Sequence, residues 1–195
     1  MGIRRLSTAS ISTGSKSSKF WDQSTALNSY ESIATVTVGA GGASSIALSS
    51  IPSTYKHLQL RFSAINSSAA QSIVIRYNTD ASSSYAKHAT VGYGTGTQTA
   101  GYPNGSYFNL QGYVAGSTTP FPVVGIADVL DYTNTNKYKT TRVLSGWDGN
   151  GSGGEVGLVS GLWQSTSAIS TITVFLESGG TIAQYSSFAL YGIKG

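Results

Sequence analysis

Residues 140–163 read TTRVLSGWDGNGSGGEVGLVSGLW, and the fold turns on what the glycines in the middle are for. Gly149, Gly151 and Gly154 satisfy G-x-G-x-x-G, the dinucleotide-binding pattern, while Asp148, Asn150, Ser152 and Gly153 imitate the first half of a calcium loop. A dinucleotide fingerprint works only where its glycines lead from a strand into a helix, whose N-terminus receives the pyrophosphate. Here TTRVLSG precedes them and EVGLVSGLW follows, and both alternate as strands do. Counted from Asp148, the twelfth loop position is Val159, where an EF-hand needs a bidentate Glu. A different calcium site using Asp148, Asn150 and Glu155 stays open as the weaker alternative. The segment reads best as a hairpin connection, because glycine permits positive φ and Asp and Asn favour tight turns.

Working outward, period two dominates from residue 31 onward. In HLQLRFSAI, Leu58, Leu60 and Phe62 fall on one face and Gln59, Arg61 and Ser63 on the other. TITVFLE sets Ile172, Val174 and Leu176 against Thr171, Thr173 and Glu177 in the same way. Comparable runs are ESIATVTV, SIALS, SIVIRYN, SYFNLQGYV, PVVGIADVLDY and SSFALYGIK, punctuated by Gly, Ser, Asn and Pro. No run has a helical period. The predicted fold is all-β: an antiparallel sandwich of about eight to ten strands, jelly-roll-like, over residues 30–195. Residues 1–29 form an extended basic arm in this reading.

Composition narrows the function classes. Charged residues make up 10% of the 195-residue chain, against about 25% in an ordinary soluble domain. Such a neutral, hydroxylated surface suits a protein packed in an assembly better than a free enzyme. With no cysteine there is no disulfide, thiol nucleophile or Cys-ligated metal. His57 and His88 are the two histidines, and a metal site would need both of them plus a distant carboxylate. No G-x-S-x-G elbow and no phosphate-cradling loop with a following Lys is present. Asp128 and Asp131 lie three apart, which points them to opposite faces of a strand; Asp128 reads as a partner for Arg142 or Lys139 rather than as an acid catalyst. The expectation is a protein that is not an enzyme and carries no cofactor and no metal. No run reaches the roughly 18 apolar residues of a membrane span, and the N-terminus lacks the apolar middle of a secretory signal, so neither membrane insertion nor export is expected.

Two segments are candidates for binding. In the leader, Arg4, Arg5, Lys16 and Lys19 stand against Asp22, followed by the apolar pair Phe20 and Trp21. Four dispersed cations are too few for firm nucleic-acid binding, so no nucleic-acid partner is expected. Charge plus an aromatic pair suits an arm anchoring on a protein partner, although Phe20 and Trp21 could equally tuck onto the chain's own β domain. The second segment, GYGTGTQTAGYPNGSYFNLQGY, interleaves tyrosines with Gly and Asn, as ligand-binding loops do. Tyr93 and Tyr102, with Trp147 beside the hairpin, are the candidate distal ligand-binding residues. Tyr107 and Tyr113 are instead expected on a strand, filling a seam between subunits.

The runs VLDYTNTNKYKTTRVLSGWDGNGSGGEVGLVSGLW, QYSSFALYGIKG and SYESIATVTVGAGGASSIALSSIPSTYKHLQLR together resemble small virion structural proteins of tailed bacteriophages, notably phages of cyanobacteria and other aquatic bacteria. The similarity spans most of residues 29–195 and is least over 78–122. It implies a jelly-roll-like domain, a non-enzymatic role and a homotrimer. On that basis the chain is expected in the virion, assembled in the host bacterial cytoplasm, as a head decoration (cement) protein or short head fibre. Its partners would be other copies of itself and virion proteins such as the major capsid protein. The competing expectation is a tail-associated, receptor-binding fibre module that takes a host-surface glycan.

If WDGNGSGGEVGL is a hairpin turn, Asp148→Ala costs no more than one turn hydrogen bond, about 1 kcal/mol, and calcium leaves the melting temperature unchanged. Thermal melts with calcium and with chelator check both; a chelator-sensitive melting temperature would restore the metal reading.

Overall fold

The computed structural model describes residues 29–66, 71–111, 121–151 and 153–195. Their regular structure is all β: β1 (Tyr30–Thr37), β2 (Ser45–Leu48), β3 (His57–Ala64), β4 (Ile73–Tyr77), β5 (Tyr85–Tyr93), β6 (Gly96–Gly105), β7 (Phe108–Asn109), β8 (Val123–Leu130), β9 (Lys139–Asp148), β10 (Gly154–Trp163), β11 (Ile172–Leu176) and β12 (Ser187–Ile193). They form an eight-stranded sheet of order β1-β12-β3-β8-β9-β10-β5-β6 and a four-stranded sheet of order β2-β11-β4-β7, every pair antiparallel.

The pairing is nested. With the β5–β6 and β9–β10 hairpins set aside, β1 pairs with β12, β2 with β11, β3 with β8 and β4 with β7, first with last and second with second-last. A long antiparallel ribbon rolled up on itself gives this order, and the result is the jelly roll, β1-β12-β3-β8 over β2-β11-β4-β7. The two extra hairpins then lengthen one sheet, adding β9, β10, β5 and β6 beyond β8.

Alternation puts the core between the sheets. Leu58, Leu60 and Phe62 of β3, Val143 of β9, Val159 of β10 and Phe188 and Leu190 of β12 meet Ile73 and Ile75 of β4 and Ile172, Val174 and Leu176 of β11 in one buried cluster. Each such side chain is worth about 1.5–3 kcal/mol over leaving it in water. Tyr77, Tyr85 and Trp163 close the core beside β5 and β10, with ring centroids 5.6–6.3 Å apart.

The hairpin reading of residues 140–163 holds. β9 and β10 pair in register from Gly154 opposite Asp148 to Trp163 opposite Lys139. In the turn, Asp148 Oδ1 accepts the Asn150 N–H at 2.7 Å, and Asn150 and Gly151 have φ of 58° and 82°.

Three expectations change. The run around GYGTGTQTAGY is the β5–β6 hairpin rather than a long loop, and it takes the strand count to twelve. Of SYFNLQGYV only Phe108–Asn109 is strand among the described residues; Tyr107 precedes it and Tyr113 lies outside the described residues. Lys139 is no partner of Asp128. It is fully buried on the inner face, where its ammonium donates to the carbonyls of Asn134, Lys137 and Thr166 at 2.5–3.1 Å. Asp128 lies opposite Arg142 across β8 and β9 and accepts from Gln59 Nε2 at 2.8 Å, while Asp131 turns to Lys56 and Lys137.

The crossing of the sheets is tightest where Phe108 of β7 lies on Gly161 of β10: a Cβ there would come within 1.8 Å of the Phe108 ring. Because Phe108 is itself buried, the ring has no room to retreat. Gly161→Ala is expected to destabilise the chain by about 1–3 kcal/mol, read from urea melts followed by circular dichroism.

Candidate functional site

Three surface features could serve function, and each follows from the sheet extension. The first is a groove of about 670 Å³ between the turns of the β5–β6 and β9–β10 hairpins. In β5 and β9, odd-numbered side chains face inward, as Val91 and Val143 do. Tyr93 and Trp147 continue those inward rows past the end of the core. Tyr93 is 47% exposed, whereas Trp147 is half-buried against the core, and its indole N–H has no acceptor among the described residues. Glu155 stands opposite Trp147 in the ladder. β1 begins opposite Ile193, and a row running from Val36 through Phe188, Phe62, Gly125, Ser145 and Gly157 to Val91 crosses seven strands in register. The hairpin turns lie beyond that row, so they occupy the end of the large sheet away from Tyr30.

The second feature is a cleft of about 330 Å³ between the β5–β6 hairpin and the edge of the small sheet. Tyr102 of β6 pairs with Lys87 of β5, and the Lys87 ammonium lies 4.5 Å from the centre of the Tyr102 ring, a cation–π contact. On the opposite wall, the Tyr107 hydroxyl donates to Glu177 Oε1 at 2.5 Å, and its ring meets Phe175 edge-on. Behind them the Arg76 guanidinium lies 4.5 Å from the centre of the Phe175 ring, and its Nε–H donates to the Ser106 carbonyl at 2.9 Å. Burial pushes the Lys87 pKa down, and the charge of Glu177 partly opposes this. The hydrogen bond to Glu177, with burial adding to it, pushes the Tyr107 hydroxyl up to about 12.

The third is the outer face of the large sheet. Leu144 of β9 stands opposite both Ile126 of β8 and Leu158 of β10, with Val124 and Val156 one row further along. These five apolar side chains are 40–59% exposed. Asp128, Arg142 and Ser160 form the neighbouring polar row.

The structure therefore brings Tyr93 and Trp147 together, and it places Tyr102 in a separate cleft. Lys87, Tyr107 and Glu177, which share that cleft, escaped the sequence reading as a group because 90 residues separate Lys87 from Glu177. Arg4, Arg5, Lys16, Lys19, Phe20 and Trp21 lie outside the described residues. Among the described residues no three His, Cys, Asp or Glu side chains are placed to hold a metal ion. Scans against protein-family models, curated proteins and solved structures found no match.

The cleft and the core beside it share a pH signature. Tyr85 is pushed up to about 12 by burial and Tyr107 to about 12 by Glu177. A hydroxyl whose folded pKa lies above the unfolded value near 10 gives stability that is complete below about pH 10 and is lost as pH rises through the folded pKa. Stability should therefore fall between about pH 10 and 12, and less steeply in Tyr85→Phe and Tyr107→Phe, as denaturant melts across that range would read.

Proposed function

We propose that this chain is a non-enzymatic structural protein of a tailed-phage virion, a decoration protein or short fibre on the head that works as a homotrimer. The observation that carries assembly is the outer face, where an uninterrupted patch of Val124, Ile126, Leu144, Val156 and Leu158 stands on a chain otherwise poor in charge. Exposed apolar patches of this kind mark association surfaces. The occupant that fits is another copy of the chain: β8, β9 and β10 with the flanking β5, about 4.8 Å apart and about eight residues long, offer a face of about 500 Å², so each copy's face and the neighbouring surface against it sum to about 1,000 Å², the lower range for a specific interface. Around a three-fold axis the face is shared, one part meeting one neighbour and another part the other, and such heterologous contacts close the ring. The virion setting is supported by the resemblance of the runs at 29–61, 129–163 and 184–195 to phage structural proteins. In this reading residues 1–29 anchor the trimer to the capsid through Arg4, Arg5, Lys16, Lys19, Phe20 and Trp21.

The second reading, a tail-associated receptor-binding module, is favoured by one observation. The Tyr93–Trp147 groove lies at the end of the sheet away from Tyr30.

The test uses purified chain and parent particles. Light scattering should give a trimer, and Leu144→Glu combined with Leu158→Glu a monomer of unchanged circular dichroism. Deletion of residues 1–25 should leave the domain folded but unable to bind particles, and cryo-electron microscopy of the particle should find the density on the head. A wild-type monomer at micromolar concentration would overturn the assembly; native particle binding by the truncated chain would put the anchor on the β domain; density at the tail would favour the second reading.

A further inference from the structure

We propose that the cleft between β6 and the small sheet binds an acidic saccharide, a pyranose carrying a carboxylate, with Lys87 taking the carboxylate, Tyr102 the sugar face and Glu177 a ring hydroxyl. This is a site separate from the Tyr93–Trp147 groove, and it stands whether the protein sits on the head or the tail.

Lys87 is the cation of the cleft. Its side chain is half-buried in the cleft wall, and among the described residues its ammonium has the Tyr102 ring as a neighbour but no oxygen acceptor within hydrogen-bond distance. A partly desolvated ammonium lacking an acceptor favours an anionic oxygen in the adjoining space. Tyr102 then adds a surface: the residue is 52% exposed, and Pro103 beside it also lines the cleft. A flat, half-exposed ring with an apolar neighbour accepts the C–H face of a pyranose and offers little to a small inorganic ion.

Glu177 supplies the discrimination. One of its oxygens is occupied by the Tyr107 hydroxyl, which leaves the other to accept from a ligand hydroxyl. A phosphate or a dicarboxylate would bring negative charge to both ends of the cleft and be repelled at this one. A neutral sugar would satisfy Glu177 and leave Lys87 without an anion. A hexuronate has the carboxylate and the hydroxyls on one ring, so it answers both ends together. The volume of about 330 Å³ suits a single bound sugar, at the small end of ligand cavities, which run from roughly 300 to 1,000 Å³. The open side leaves room for the rest of a polysaccharide chain.

Calorimetric titration of the full chain with tri-galacturonate, with the neutral galactose trisaccharide and with acetate tests this. Tri-galacturonate should bind at least tenfold more tightly than its neutral counterpart, and acetate should not displace it. Lys87→Gln and Tyr102→Ala should each lose at least tenfold in affinity, whereas Lys87→Arg should retain most of it and Tyr30→Ala, on β1 at the far edge of the large sheet, all of it. Thermal melts confirm that each variant folds. In the wild type, the amide resonances that move on titration should be those of residues 86–88 and 102–107. Equal affinity for the neutral sugar, displacement by acetate, or unchanged binding by Lys87→Gln would overturn the proposal. Because these measurements need only the isolated chain, their failure is distinguishable from a failure of the virion reading, which shows at the particle.

Discussion

The hydrogen bond between the Tyr77 hydroxyl and Thr141 Oγ1, 2.6 Å long and fully buried, is the joint between the two sheets. Tyr77 ends β4 in the small sheet, and Thr141 lies in β9, the first strand of the extension to the large one. The Tyr77 backbone N–H also donates to the Tyr85 hydroxyl at 2.9 Å, which fixes the start of β5. Trp163 packs on both rings, and its indole N–H donates to Asp80 Oδ2 at 2.7 Å. Burial alone would raise the Asp80 carboxyl, but hydrogen bonds from Ser82, Ser84 and Trp163 outweigh it and hold the group well below the usual carboxylate range. Four strands, β4, β5, β9 and β10, are thus located by one network, in which losing the hydroxyl of Tyr77, Tyr85 or Thr141 strands a buried polar group at a cost of about 1–3 kcal/mol.

Both extra hairpins are tied to the small sheet at that joint. Together with the Phe108–Gly161 contact and with Val143 and Val159 in the core, it sets the angle of β9 and β10 to the small sheet and with it the width of the cleft between β6 and β7. The jelly-roll core needs neither hairpin, since its eight strands pair among themselves. What the hairpins add is surface: an outer face wider than the small sheet beneath it, a groove between two turns and a cleft along one side. Folds host function by such additions, and their residues, not the roll, define what is bound.

How much of this was legible in the sequence depended on burial. β3, β8, β9, β10, β11 and β12 have one face in the core and one outside, so HLQLRF or TITVFLE shows its period directly. β6 does not. It is the edge strand, none of its ten residues is buried, and GTQTAGYPNG carries no alternation to read. Tyr and Gly content marked the region for binding but concealed that it is a hairpin. Lys139 misled for the opposite reason: a lysine suggests solvent, and only the fold brings the carbonyls of Asn134, Lys137 and Thr166 around its ammonium. Lys87 and Glu177 were individually visible, but no local pattern joins β5 to the end of β11.

The low charge of the chain gains a sharper meaning from this geometry. Scattered charges on the outer face of β8, β9 and β10 would have blunted edge and face association, as soluble sheet proteins commonly arrange. Here the apolar row of Ile126, Leu144 and Leu158 lies directly beside the row of Asp128, Arg142 and Ser160. An apolar centre with a polar margin is the anatomy of an interface. Opposite charges in the margin can also fix register between copies, which a uniformly apolar face would leave free to slide. Lys87 of β5 and Glu177, which follows β11 in the small sheet, line the cleft instead. On a surface with so few charges, a cation and a carboxylate on facing walls of one cleft give that cleft a polarity that its Ser-, Thr- and Gly-rich surroundings lack.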